Sequence, residues 1–228
     1  MGHPLELLRD VARDEWSDPV ETARSAAQGL LALAHQAHEE WGRQGLRAAY
    51  MLREARPDSP LLLAVTQSAL ASDPAPAAEG LRRALAALDD RTWTAELGLA
   101  IAHHPSLGIT SLASEVLEVL EAAARLAEST AQLYTDRRAV ARGLGYLRLV
   151  VEVAPPEEAE ALVAVAVAVD GSTIWTTERT ADVALAASVR RRRIVPVAHP
   201  LARLSPLNRA AFRPSPGIVD VALPEPHP

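Results

Sequence analysis

The chain has 228 residues, with 23 basic against 29 acidic side chains and a formal net charge of -6 at pH 7. This length suits one large or two small domains and is enough to bury a sizeable core. There is no cysteine and, since every basic residue is arginine, no lysine, which excludes thiolate and Schiff-base chemistry, disulfides and a P-loop lysine. The acidic balance argues against wrapping a nucleic-acid backbone.

Met1 to Asp10 lacks a basic segment followed by an apolar one, so no signal peptide is expected. No uncharged run approaches the roughly 18 residues a membrane helix needs. A soluble, cytoplasmic protein is the expectation.

The first hundred residues read as short helices. Asp18, Pro19 and Glu21 form a start signal: a side-chain cap, proline at the first helical position and a carboxylate near the positive end of the dipole. Val20, Ala23, Ala27, Leu30, Leu31 and Ala34 continue it as an apolar stripe running toward His38 and Trp41. Ser59-Pro60 and Asp73-Pro74 repeat the signal before Leu61 to Ala71 and Ala77 to Leu88. A helical bundle over 1–105 follows.

From Ser106 onward the period changes. Apolar runs of strand length stand at Leu107 to Thr110, Leu147 to Val153, Leu162 to Val169, Ile194 to Ala198 and Ile218 to Leu223. Helical stretches fall between most of them, at Ser114 to Ala127, Asp136 to Leu144 and Glu178 to Arg190. Alternation of this kind predicts an open, mostly parallel, Rossmann-like sheet over 106–228. The fold class is thus α/β, an N-terminal helical bundle followed by that sheet. Ligands in such sheets lie beyond the carboxyl ends of the strands, where the strand order switches direction.

Residues just after the runs are therefore the candidates. Thr110-Ser111-Leu112-Ala113-Ser114 is a hydroxyl-rich turn that can hold an anion at a helix N-terminus or simply cap the helix at Ser111. Glu128 to Thr130, Asp170-Gly171 and His199 to Arg203 complete the set, Asp-Gly being equally a routine turn. His35, His38 and Glu39 share helical spacing but have no fourth ligand nearby, so an exposed helix face is expected and no metal site. His103-His104 before Pro105 reads as a helix end, and Arg190 to Arg193 as a solvated helix C-terminus. No G-x-S-x-G and no Gly-rich phosphate loop occurs.

The order of these motifs resembles the superfamily of the translation initiation factor 2B alpha, beta and delta subunits. That superfamily includes ribose-1,5-bisphosphate and methylthioribose-1-phosphate isomerases. Ile109 to Leu120 is similar to its T-H-S-x-S-S-T-V-L-x-x-L turn and helix, and Leu126 to Thr130 to V-T-E-S-R-P. Ala164 to Gly171 with Thr180 to Ala187 is similar to G-A-D-A-V-x-x-D-G-x-x-x-N-K-x-G-T and its helix. Ile194 to Ala198 is similar to P-V-Y-V-A, Asn208 to Pro216 to N-P-x-F-D-x-T-P, and Glu54 to Pro60 to a segment of the N-terminal domain.

The resemblance implies a helical domain, a Rossmann-like domain and self-association through the latter, at least to a homodimer. It also implies where chemistry would sit. The isomerase cysteine falls on or near Ser111, the aspartate of G-A-D on or near Val165, and the N-K pair near Trp175-Thr176. A proton-moving pair is thereby replaced by a hydroxyl and an aliphatic side chain. Phe212-Arg213 replaces Phe-Asp, and Arg203 partly replaces a basic residue after the P-V-Y-V-A strand.

The expectation is a non-catalytic relative that binds a partner protein or a small phosphorylated metabolite through Ser111, Ser114, Glu128, Asp170, Gly171 and Arg203, without cofactor, nucleic acid or membrane. The alternative is an aldose-ketose sugar-phosphate isomerase with a rearranged site, using Asp170 or Glu128 as base. Guanine-nucleotide exchange in translation is a third reading, and it requires a cognate GTPase.

Overall fold

The computed structural model describes residues 3–14, 17–37, 39–57, 59–71, 73–126, 131–144, 150–166, 168–170, 172–203 and 212–219. The chain divides into two compact units, 1–90 with 200–211 and 91–199 with 212–228.

In the first unit, α1 (Pro4–Arg13), α2 (Pro19–Gln36), α3 (Trp41–Ala55), α4 (Pro60–Ser68) and α5 (Pro74–Asp89) follow one another. The start signals act as expected for α2, where Asp18 Oδ1 accepts from the amides of Val20 at 2.8 Å and Glu21 at 3.3 Å. Ser59 Oγ accepts from Leu62 N at 3.4 Å ahead of α4. Asp73 precedes Pro74 but makes no side-chain cap.

Small side chains let these helices approach closely, and Ala23, Ala26, Ala27, Ala49 and Ala77 are fully buried. Leu30, Leu52, Leu61, Leu81 and Leu88, also inaccessible to solvent or nearly so, contribute about 2 kcal/mol each from apolar burial. Trp41 anchors the core, donating from its indole Nε1 to the carbonyl of Ala71 at 3.0 Å. The short helix Pro200–Arg203 packs here through Leu201 and Ala202.

The second unit begins with α6 (Thr92–Ile101), a helix that falls within the 1–105 expected for the helical bundle and belongs instead to the α/β unit. Its Gly98 lies so close to α7 (Ser114–Leu126) that an added Cβ would meet Ala122 Cβ at 2.6 Å. The strands β1 (Ser106–Ile109), β2 (Gln132–Thr135), β3 (Val150–Val153), β4 (Ala161–Val165), β7 (Arg193–Val197) and β9 (Ile218–Val219) form a parallel sheet in the order β3-β2-β1-β4-β7-β9. α8 (Arg138–Leu144) connects β2 toward β3, and α9 (Glu178–Val189) precedes β7.

Two expectations need correction. The run Leu162 to Val169 is not one strand. β4 stops at Val165, and Ala168–Asp170 (β5) joins Thr173–Thr176 (β6) and Arg213–Pro216 (β8) in a separate antiparallel sheet. The segment from Gln132 to Thr135, not singled out in the sequence, is a strand of the main sheet.

Period-2 alternation assigns the two faces of the main sheet. Leu107, Ile109, Ala161 and Val163 face a core with Trp93, Val116 and Leu120. Leu162, Ala164 and Ala166 face Ala184 and Ala187 of α9. Gly108, level with Leu162, belongs to this second face.

Candidate functional site

Strand order fixes where a ligand can approach. The chain proceeds from β1 outward to β2 and β3, then returns across to β4 and continues outward to β7. The switch point is therefore the gap between the carboxyl ends of β1 and β4.

On the β1 side lie Thr110 and Ser111. Ser111 is not the N-cap of α7, which begins three residues later; its Oγ instead accepts from the amide of Ala113 at 3.1 Å, a serine turn that satisfies the backbone before the helix starts. Ser114 Oγ donates to Glu115 Oε2 at 3.2 Å, and Glu115 is itself buried. Thr110 is only 4 % exposed, and its Oγ1 has no hydrogen-bond partner among the described residues. On the β4 side lie Ala164, Val165 and Ala166, with Ala164 and Ala166 buried.

The positions that the resemblance gives to the isomerase cysteine and aspartate, Ser111 and Val165, thus stand at the ends of adjacent parallel strands whose register pairs Ile109 with Val163. Asp170 does not follow a strand of this sheet. It pairs with Thr173 in the antiparallel sheet. Glu128 and Gly171 lie outside the described residues, as do the side chains of Asp170 and Arg203. His199, at the end of β7, is buried with its ring edge-on to Trp93 at 5.5 Å.

Two further pairs of groups reach this edge, neither joined by a local sequence pattern. Asp136 follows β2 and Arg179 lies in the first turn of α9; Arg179 Nη2 donates to both carboxylate oxygens of Asp136, at 2.9 and 3.1 Å. Thr176 Oγ1 donates to the carbonyl of Val165, and Thr177 Oγ1 donates to Thr180 Oγ1 at 3.1 Å. Asp136 and Arg179 are 43 positions apart, so no local pattern joins them.

Of the two histidines in question, His38 lies outside the described residues, while His35 meets Arg82 at 3.5 Å. Among the described residues no group of three His, Cys, Asp or Glu could hold a metal ion. No helix among them is long and apolar enough to cross a membrane.

No protein-family model matches the chain, and no curated protein matches it in sequence. Solved structures do. The chain is similar to the Pyrococcus horikoshii OT3 translation initiation factor eIF-2B with a TM-score of 0.65 at 16% identity, over 88% of this chain and 81% of that one. It is similar to eIF2B beta from Chaetomium thermophilum with a TM-score of 0.61 at 15% identity, over 85% and 74% of the two chains. A chain of the tetrameric eIF2B-beta2-delta2 complex from the same organism gives 0.59 at 14% identity, over 85% and 76%. The chain has the fold of the eIF2B subunits.

Proposed function

We propose that the protein is an eIF2B-related, non-catalytic cytoplasmic protein that binds a small phosphorylated metabolite at the β1/β4 switch point and self-associates through its α/β unit. The observation that carries this reading is the chemistry of the two strand ends. They offer hydroxyls at Thr110 and Ser111 opposite Ala164 and Val165, groups that accept and donate hydrogen bonds but do not form an acid and base pair. The hydroxyl of Ser111 is moreover already engaged with Ala113 N.

Shared fold with eIF2B subunits supports the relationship, and the tetrameric assembly named for one of those structures supports self-association. Native mass spectrometry of the purified chain mixed with ribose 5-phosphate tests the reading. A retained one-to-one adduct on the oligomer is expected. A chain that retains no phosphorylated ligand, but captures a translational GTPase and accelerates its nucleotide exchange, would replace this function with that of an exchange factor.

A further inference from the structure

α9 rests on the main sheet through Ala184 and Ala187, both fully buried. The other side of the helix carries Asp182, Leu185 and Val189, three and four residues apart and so aligned in one stripe. All three are exposed. A surface helix ordinarily turns polar side chains outward, yet this stripe holds two aliphatic ones. Val189, 78% exposed, is the most exposed large hydrophobic residue among those described.

Charge along the stripe is sorted by sign. Asp182 stands on the amino-terminal side of Leu185 and makes no ion pair among the described residues. Arg179 cannot neutralise it, being held by Asp136 at 2.9 Å. At the carboxyl end the helix is closed by Arg190, Arg191 and Arg192. Glu158 takes up Arg190 at 3.5 Å, whereas Arg191 and Arg192 make no ion pair among the described residues.

Two observations indicate that these arginines lack an acceptor. Nε of Arg192 is buried with no hydrogen-bond partner among the described residues, a costly state that requires an explanation. Arg191 has φ 56°, at a helix end where glycine would be free of strain. A long cationic side chain held there against strain points to a role for that side chain.

We propose that the outer stripe of α9 docks against the same stripe of a second copy of this chain, antiparallel across a twofold axis. Setting Leu185 against Val189 of the other copy brings Asp182 opposite the arginines that close α9, and the symmetry makes each contact twice. A parallel arrangement would instead oppose like charges. The carboxylate accepts in pairs from a guanidinium, while the aliphatic side chains between the two charged ends leave water. The proposal rests on the reading that the chain self-associates through its α/β unit, and it names the surface and the pairing that do so.

Sedimentation velocity of the full chain from about 1 to 100 μM tests it, because a single helix pair is a small contact whose dimer dissociates on dilution. Val189→Asp is expected to raise the dimer dissociation constant about ten-fold or more, as are the charge reversals Asp182→Arg and Arg191→Glu separately. An equimolar mixture of the two reversals is expected to recover wild-type dimerisation, since each reversed end then meets its opposite. Asp182, Val189 and Arg191 are exposed, so these variants keep the packed core intact.

If the wild type dimerises while Val189→Asp and Asp182→Arg leave its dissociation constant unchanged, this face is not the interface, and self-association through another part of the unit stands. If both reversals weaken the dimer but their mixture does not recover, the antiparallel pairing is overturned. A wild type that stays monomeric at the highest concentration overturns both readings and leaves the stripe to a partner other than this chain.

Discussion

Gly108 lies directly beneath the carbonyl of Pro156: a Cβ added at Gly108 would stand 2.0 Å from that oxygen. Pro156 opens the short 3-10 turn Pro156–Glu158 in the connection between β3 and β4. This connection must pass β2 and β1 to reach β4. With no helix there to stand off from the sheet, the backbone of the crossover rests on the central strand. Gly108→Ala is expected to destabilise the protein by about 3 kcal/mol, since both atoms that would have to yield belong to backbone. Thermal unfolding should show a decrease of roughly 6–12 °C in Tm.

Arg191 has φ 56°. It ends α9 in a Schellman arrangement, with Arg192 N donating to Ala187 O at 2.8 Å and Arg191 N to Ser188 O at 2.9 Å. A left-handed residue with a Cβ is strained by about 1 kcal/mol relative to glycine. Arg191→Gly is therefore expected to raise Tm by about 2–4 °C, measured by the same unfolding experiment. An unchanged or lowered Tm would mean that the arginine side chain offsets the strain.

Trp41 joins packing to a hydrogen bond, being 1% exposed with its indole on the Ala71 carbonyl. Trp41→Phe keeps an aromatic ring but leaves that carbonyl without its donor and opens space around it. A loss of about 2–3 kcal/mol is expected in denaturant titration. Near-wild-type stability would show that water or repacking replaces the indole.

How far the sequence reveals this arrangement depends on the physical signal at each element. β1, β4 and β7 are strand-length apolar runs, and α2 carries a proline start signal with a side-chain cap that the structure realises at Asp18. β2 carries no apolar run, because only Leu133 and Thr135 of its four residues are buried. β8 reads Arg-Pro-Ser-Pro, a composition that argues against a strand, yet it pairs only with β6 at the edge of the small sheet, where proline is tolerated. The Leu162 to Val169 run hid a break because alanine and valine suit both the parallel strand and the hairpin that follows. At the site, Ser111 is legible through its hydroxyl-rich turn. The buried Thr110 beside it, and the pairing of Asp136 with Arg179, arise from strand order and could not be read from local spacing.

Self-association is expected to yield at least a dimer that buries part of the segment between Val163 and Leu223. Light scattering coupled to size exclusion at micromolar concentration should give a mass of at least twice the 24.4 kDa chain. A monomer mass would contradict this part of the account.

The central claim is that the chain binds through the β1/β4 switch point without carrying out the isomerisation that the resemblance associates with a cysteine and an aspartate there. The most direct measurement is NMR-monitored incubation of the purified chain with ribose-1,5-bisphosphate and with methylthioribose-1-phosphate. The account predicts unchanged substrate spectra over hours. Conversion to the ketose, abolished by Ser111→Ala in a protein that stays folded, would contradict it.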